Sequence, residues 1–215
     1  MMNLFFDLDG TLTDPAVGIT TCIQYALHKL GLDSPPPSEM NCYVGPPLRG
    51  TFAELLNTDC LEAVEEAVAC YRERFGTVGM YENEVYPDVP GGLSCLRDAG
   101  HNLWVVTSKP EVYAREILRH FALDSFFEGI YGSELSGAMV DKAELIAHVL
   151  EREGISPDSA CMIGDRAQDI AGGQANGTCT IGVLWGYGSE DELRSARPDA
   201  LVGTIRELCD YIDRL

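Results

Sequence analysis

Short apolar runs that end in polar residues and lead into a helical stripe recur along this chain, and that alternation restricts the folds open to it. Residues 4–6, 103–106, 129–131, 161–163, 180–184 and 200–202 read as buried strands. Between them lie helical patterns. Pro90 opens one that carries Leu93, Leu96 and Ala99 and closes at Gly100; Pro110 opens another with Ala114, Ile117, Leu118 and Phe121; a third starts near Lys142 with Leu145, Ile146, Val149 and Leu150. Ser189 and Glu192 form a capping-box signature, and a last helix begins at Thr204. Such alternation predicts an α/β fold, a doubly wound parallel sheet with helices on both faces.

Residues 15–84 interrupt this texture. Val17, Ile23, Ala26, Leu27 and Leu30 recur at helical spacing before Gly31, and Leu61, Val64, Val68, Tyr71 and Phe75 form a second stripe with Thr58 or Asp59 as its expected N-cap. Residues 43–50 are too rich in Gly and Pro to read as helix. The expected organisation is an α/β core of residues 1–14 and 85–215, with a helical domain of residues 15–84 inserted after the first strand.

Composition narrows the partners. Fifteen Lys and Arg face 34 Asp and Glu, a net charge of −19. That surface repels phosphate backbones and anionic lipid, so neither nucleic acid nor a membrane is expected as partner, and an anionic substrate needs its own local cations. With 46% apolar residues in 215, the chain is long enough for one substantial core or a core with a small accessory domain. Cys22, Cys42, Cys60, Cys70, Cys95, Cys161, Cys179 and Cys209 are scattered without zinc spacing, and no signal-like segment precedes the first strand. They read as reduced thiols of a cytoplasmic protein. No stretch approaches the length of a membrane span.

The chemistry concentrates where strands end. After residues 4–6 the chain turns polar at Asp7-Leu8-Asp9-Gly10-Thr11-Leu12-Thr13-Asp14. On an extended chain Asp7 and Asp9 point to one side, and two carboxylates that close favour a cation between them, most simply the hard, oxygen-seeking Mg²⁺. Gly10 permits a sharp turn or close backbone approach, and the hydroxyls of Thr11 and Thr13 suit an anion. Thr107 and Asp165 also follow apolar strands, in two further units, which is where open parallel sheets bind ligands.

The run from Asp7 to Asp14, behind a hydrophobic strand, resembles the first motif of the haloacid dehalogenase superfamily in its phosphatase branch. The resemblance implies a Rossmann-like core with a small helical cap that closes over the site and selects the substrate. It implies that Asp7 attacks phosphorus and that Asp9 protonates the leaving alkoxide, then takes a proton from the hydrolytic water. It also implies that Mg²⁺ is held by Asp7, the backbone carbonyl of Asp9 and Asp165. Asp169, four residues on in Gly-Asp-x-x-x-Asp, is expected to share a helix face with Asp165 and support the metal shell. Thr107 has the place of the second motif, with Ser108 beside it toward the phosphoryl group. Lys142 has the place of the third, although Val-Asp-Lys-Ala departs from the Lys-Pro pattern of many relatives, and Lys109 competes for that role. Tyr43 to Arg49 and Gly182 to Gly188 resemble segments of phosphoglycolate-phosphatase-like members, which makes Arg49 a candidate second anchor for the substrate.

The expected reaction is therefore Mg²⁺-dependent hydrolysis of a small phosphorylated metabolite, phosphoglycolate-like, through an aspartyl phosphate. A sugar phosphomutase, a pyrophosphatase and a 5′-nucleotidase use the same groups and stay open. A dehalogenase is disfavoured by the acid at Asp9, and a phosphonatase by Lys29 being the only lysine in residues 15–84. A phosphorylated receiver-type signalling module is disfavoured by the insertion and by Asp9.

Overall fold

The computed structural model describes residues 1–215 and builds a six-stranded parallel sheet. Its strands are β1 (Asn3–Phe6), β2 (Asn102–Pro110), β3 (Gly129–Ser133), β4 (Ala160–Gly164), β5 (Cys179–Val183) and β6 (Ala200–Val202), in the order β3-β2-β1-β4-β5-β6. The helices are α1 (Ala16–Lys29), α2 (Leu48–Leu55), α3 (Leu61–Phe75), α4 (Val89–Asp98), α5 (Glu111–His120), α6 (Lys142–Glu153), α7 (Ala167–Ala175), α8 (Glu190–Ala196) and α9 (Ile205–Ile212). The expected fold class is what is found: an α/β sheet with a helical insertion after β1. No helix is long and apolar enough to cross a membrane.

Strand β1 is central because Leu4, Phe5 and Phe6 are apolar on both faces and wholly buried. It pairs with β2 on one side (Phe6 opposite Val105) and β4 on the other (Phe6 opposite Ile163). Phe5, Trp104 and Met162 thus form one row, which packs with Val106 against Leu145, Ile146, Val149 and Leu150 of α6. Each such buried side chain contributes roughly 1.5–3 kcal/mol. From β1 the chain winds outward through β2 and β3 on one side and then crosses to β4, β5 and β6 on the other, so the strand order reverses at β1, and a crevice opens at the carboxyl ends of β2, β1 and β4.

Two compact units divide the chain, Met1–Asp14 with Val85–Leu215, and Pro15–Glu84. In the second, α1 buries Ile19, Cys22, Ile23, Ala26 and Leu27, and α3 buries Val64, Ala67, Val68, Tyr71 and Phe75, whose last two rings stack at 5.2 Å. Two local readings of this unit need correction. Leu48, Arg49 and Gly50 are helical, in α2, because buried Thr51 and Phe52 outweigh the cost of one interior glycine, about 1 kcal/mol. The N-cap of α3 is Cys60, with no side-chain hydrogen bond, because the Thr58 hydroxyl instead accepts from the Cys60 amide in a local turn.

Candidate active site

Beyond Phe6 the backbone folds on itself. The amides of Leu12 and Thr13 donate to the Leu8 carbonyl at 2.9 and 3.1 Å, and the Gly10 amide donates to the Thr13 carbonyl at 2.7 Å. Gly10 has φ +83°, and a β-carbon there would overlap the Asp165 carboxylate, so both its conformation and its surroundings demand glycine. The turn buries Asp7, Asp9, Thr11 and Thr13 at the carboxyl end of the sheet.

Two lysines come to these carboxylates from different elements. Lys142, the first residue of α6, places Nζ 2.9 Å from Asp7, 2.7 Å from Asp169 and 3.1 Å from the Val106 carbonyl. Its helix is started by Asp141, whose side chain accepts from the Glu144 amide at 3.0 Å. Lys109, at the irregular end of β2, places Nζ 2.5 Å from Asp9, with both side chains buried. The two lysines therefore do not compete for one place: Lys142 serves Asp7 and Asp169, and Lys109 serves Asp9. Burial disfavours the charge on Lys142, but Asp169 and Asp7 outweigh it and hold the ammonium above its ordinary value. Burial raises Asp9, with Lys109 opposing.

Asp165 is different, since it makes no ion pair. Its Oδ1 accepts from the Thr11 hydroxyl at 3.2 Å and its Oδ2 from the Tyr187 amide at 2.8 Å. Burial, then the charges of Asp169 and Asp7, push it up to about 7. The expectation that Asp165 and Asp169 share a helix face is corrected: Asp165 precedes α7, whose N-cap is Arg166, and Asp169 reaches back from the first turn, accepting from the Arg166 amide at 3.1 Å. A carboxylate oxygen from each of Asp7, Asp165 and Asp169 lies within 4.8 Å of the others.

This arrangement tests whether a divalent cation fits. Four buried carboxylates, on Asp7, Asp9, Asp165 and Asp169, face two buried ammonium groups, and Arg166, whose charge also reaches Asp165, is itself paired with Glu192. The donors are all oxygen, and one carboxyl, that of Asp165, is pushed up by burial and by its two acidic neighbours. Both facts suit a hard divalent ion such as Mg²⁺.

Thr107 and Ser108 precede Lys109: the Thr107 hydroxyl accepts from the Lys109 amide at 3.2 Å, and the Ser108 hydroxyl donates to the Val140 carbonyl at 3.1 Å. Arg49 lies in the insertion, where it pairs with Glu65. Sequence reasoning missed the pairing of Lys109 with Asp9.

A family profile for haloacid dehalogenase-like hydrolases matches residues 4–183. The chain belongs to that family, and to its phosphatases. It is 50% identical over 196 residues to a 5′-nucleotidase of Pseudomonas aeruginosa, covering 91% of this chain and 88% of that protein. It is 30% identical over 213 residues to a phosphoglycolate phosphatase of Aquifex aeolicus, covering 99% and 97%. The crystal structure of a predicted phosphatase from Clostridium acetobutylicum matches with a TM-score of 0.95 at 42% identity, over 100% and 99% of the two chains.

Proposed function

We propose that this protein is a Mg²⁺-dependent phosphomonoesterase that hydrolyses a nucleoside 5′-monophosphate through an aspartyl phosphate on Asp7. The observation that carries the chemistry is Lys142 held between Asp7 and Asp169 beside the unpaired Asp165. The 5′-nucleotidase at 50% identity supports a nucleotide as substrate better than phosphoglycolate, whose phosphatases stand at lower identity.

An Asp7 oxygen attacks phosphorus as the ester oxygen departs. Lys142 keeps Asp7 ionised and offsets charge on the transferring oxygens. Asp9, raised by burial, gives its proton to the leaving alkoxide; then, as base, it takes one from the water that cleaves the phosphoryl group from Asp7. Lys109 fixes the orientation of Asp9 through both steps. Thr107, whose hydroxyl only accepts from the Lys109 amide, offers its proton to a phosphoryl oxygen, Ser108 would do so on exchanging its bond to the Val140 carbonyl, and Thr11 holds Asp165. Asp7, Asp165 and the Asp9 carbonyl would hold Mg²⁺, with Asp169 near enough to add a carboxylate; when bound it neutralises charge on the transferring group. Selection of the substrate is assigned to the insertion; its cationic Arg49, paired with Glu65, would serve as an anchor only for a substrate with a second anionic group, which a nucleoside 5′-monophosphate lacks.

The test is phosphate release from AMP, UMP, their deoxy forms and 2-phosphoglycolate, with Mg²⁺ or EDTA. The expected result is Mg²⁺-dependent release with kcat/KM highest for a nucleotide. Preference for 2-phosphoglycolate would overturn the substrate assignment, and equal release in EDTA would overturn the metal.

A further inference from the structure

Between β5 and α8 the chain runs Leu184-Trp185-Gly186-Tyr187-Gly188, a stretch the chemistry above leaves unused. Its contacts converge on one place. The Trp185 indole N–H donates to the Thr11 carbonyl at 3.0 Å, the Tyr187 amide donates to Asp165 Oδ2 at 2.8 Å, and the Tyr187 hydroxyl donates to Asp14. One loop therefore ties the middle and the far end of the turn after β1 to the carboxylate after β4.

The approach is closer than a side chain would allow. A β-carbon on Gly186 would overlap Asp165 and the Gly10 carbonyl oxygen, and one on Gly188 would overlap the Asp165 carbonyl oxygen. These obstacles are backbone and the short Asp165 side chain, so neither clash can be relieved by swinging a flexible tip away. Asp165 itself makes no ion pair, and Arg166, the cation whose charge reaches it, is paired with Glu192. Its orientation rests on two donors, the Thr11 hydroxyl on Oδ1 and the Tyr187 amide on Oδ2. The loop supplies the second donor directly and braces the backbone that carries the first.

We propose that loop 185–188 is a positioning element for the carboxylate cluster: through the glycine at 186 and the indole of Trp185 it fixes Asp165 against the turn of Asp7, and so sets the cluster's affinity for a divalent cation. Groups that orient a metal-binding carboxylate typically change affinity by 10- to 100-fold when removed. This inference rests on the metal reading above, not on the choice of substrate.

The test is Mn²⁺ binding followed by electron paramagnetic resonance, with no ester present, alongside the melting temperature of the protein in EDTA. Gly186→Ala is expected to raise the Mn²⁺ dissociation constant at least about tenfold, and Trp185→Phe at least about threefold, while Trp185→Phe melts in EDTA near the wild-type temperature. A merely structural loop would lower melting and leave affinity untouched. Gly186→Ala binding Mn²⁺ within about twofold of wild type overturns the proposal. Should that variant not fold, Trp185→Phe and Tyr187→Phe decide: weakened binding in either supports it, and wild-type binding in both overturns it. Wild type that binds Mn²⁺ but hydrolyses no ester would sink the phosphatase reading and leave this inference standing. Wild type that binds no divalent ion would end both.

Discussion

Lys142 answers two buried carboxylates with one ammonium group, so its loss leaves Asp7 and Asp169 without a cation. Removing one partner of a buried ion pair costs about 3–5 kcal/mol. Lys142→Met is expected to lose that much in urea unfolding with EDTA present, and a loss below about 1 kcal/mol would show that the carboxylates are satisfied otherwise. Asp7→Asn is expected to lower kcat by roughly 10³-fold or more in a phosphate-release assay, with KM little changed, because a carboxamide is no nucleophile. Retained turnover would remove Asp7 from the chemistry. Asp7, Asp9 and Asp165 could be picked out from sequence because each follows an apolar strand, where local pattern carries the information, whereas Lys142 stands out only through the family resemblance and Thr107 lies inside β2 rather than at its end. The partner of Lys109 could not be picked out. It is set by a contact 100 residues apart in the chain, and spacing alone makes Lys109 and Lys142 rivals for one site. Arg49 likewise gave no hint that Glu65 would hold it.

Helix α6 carries Lys142 on its first turn, and the Asp141 cap fixes where that turn begins. Asp141→Ala is expected to cost about 1 kcal/mol, a fall in melting temperature of roughly 2–4 °C, with a smaller loss of activity than any change at Lys142. A melting temperature equal to wild type would mean that packing of Leu145, Ile146 and Val149 alone sets the start of the helix. The helix starts at Ser189 and Thr204 are legible because each cap is a short-range hydrogen bond to the amide three residues on, and the cap at Asp141 is of the same kind. Helix α2 was hidden because Pro46, Pro47 and Gly50 dominate a local reading, whereas burial of Phe52 is a tertiary fact. Strand β2 continues past residue 106 to Pro110 for a similar reason: after a shift in register Pro110 pairs with Ser133, which no sequence window contains.

At the scale of the whole molecule, the alternation of strands and helices makes the parallel sheet readable, but the order of its strands is not written in any one segment. Placing β1 between β2 and β4 gathers Asp7, Lys109 and Asp165 and concentrates uncompensated negative charge inside the protein. That has a consequence for stability. Asp165 stands at about 7 in the fold, against 3.8 ordinarily. Between these values the folded chain binds more protons than the unfolded one, so stability falls as pH rises. His101, lowered by burial, opposes this more weakly. In EDTA the melting temperature is expected to fall from about pH 5 to about pH 7.5, with Asp165 contributing at most on the order of 4 kcal/mol, and Mg²⁺ is expected to abolish the fall. A melting temperature that rises over this range in EDTA would contradict the charge account. The central claim, that Asp7 carries the phosphoryl group, is tested most directly by quenching turnover in acid, reducing with borohydride and sequencing the first peptide by mass spectrometry. Homoserine in place of Asp7, formed only with substrate and Mg²⁺, is the predicted result. An unmodified Asp7 in enzyme that is releasing phosphate, with the label on another residue or on none, would contradict it.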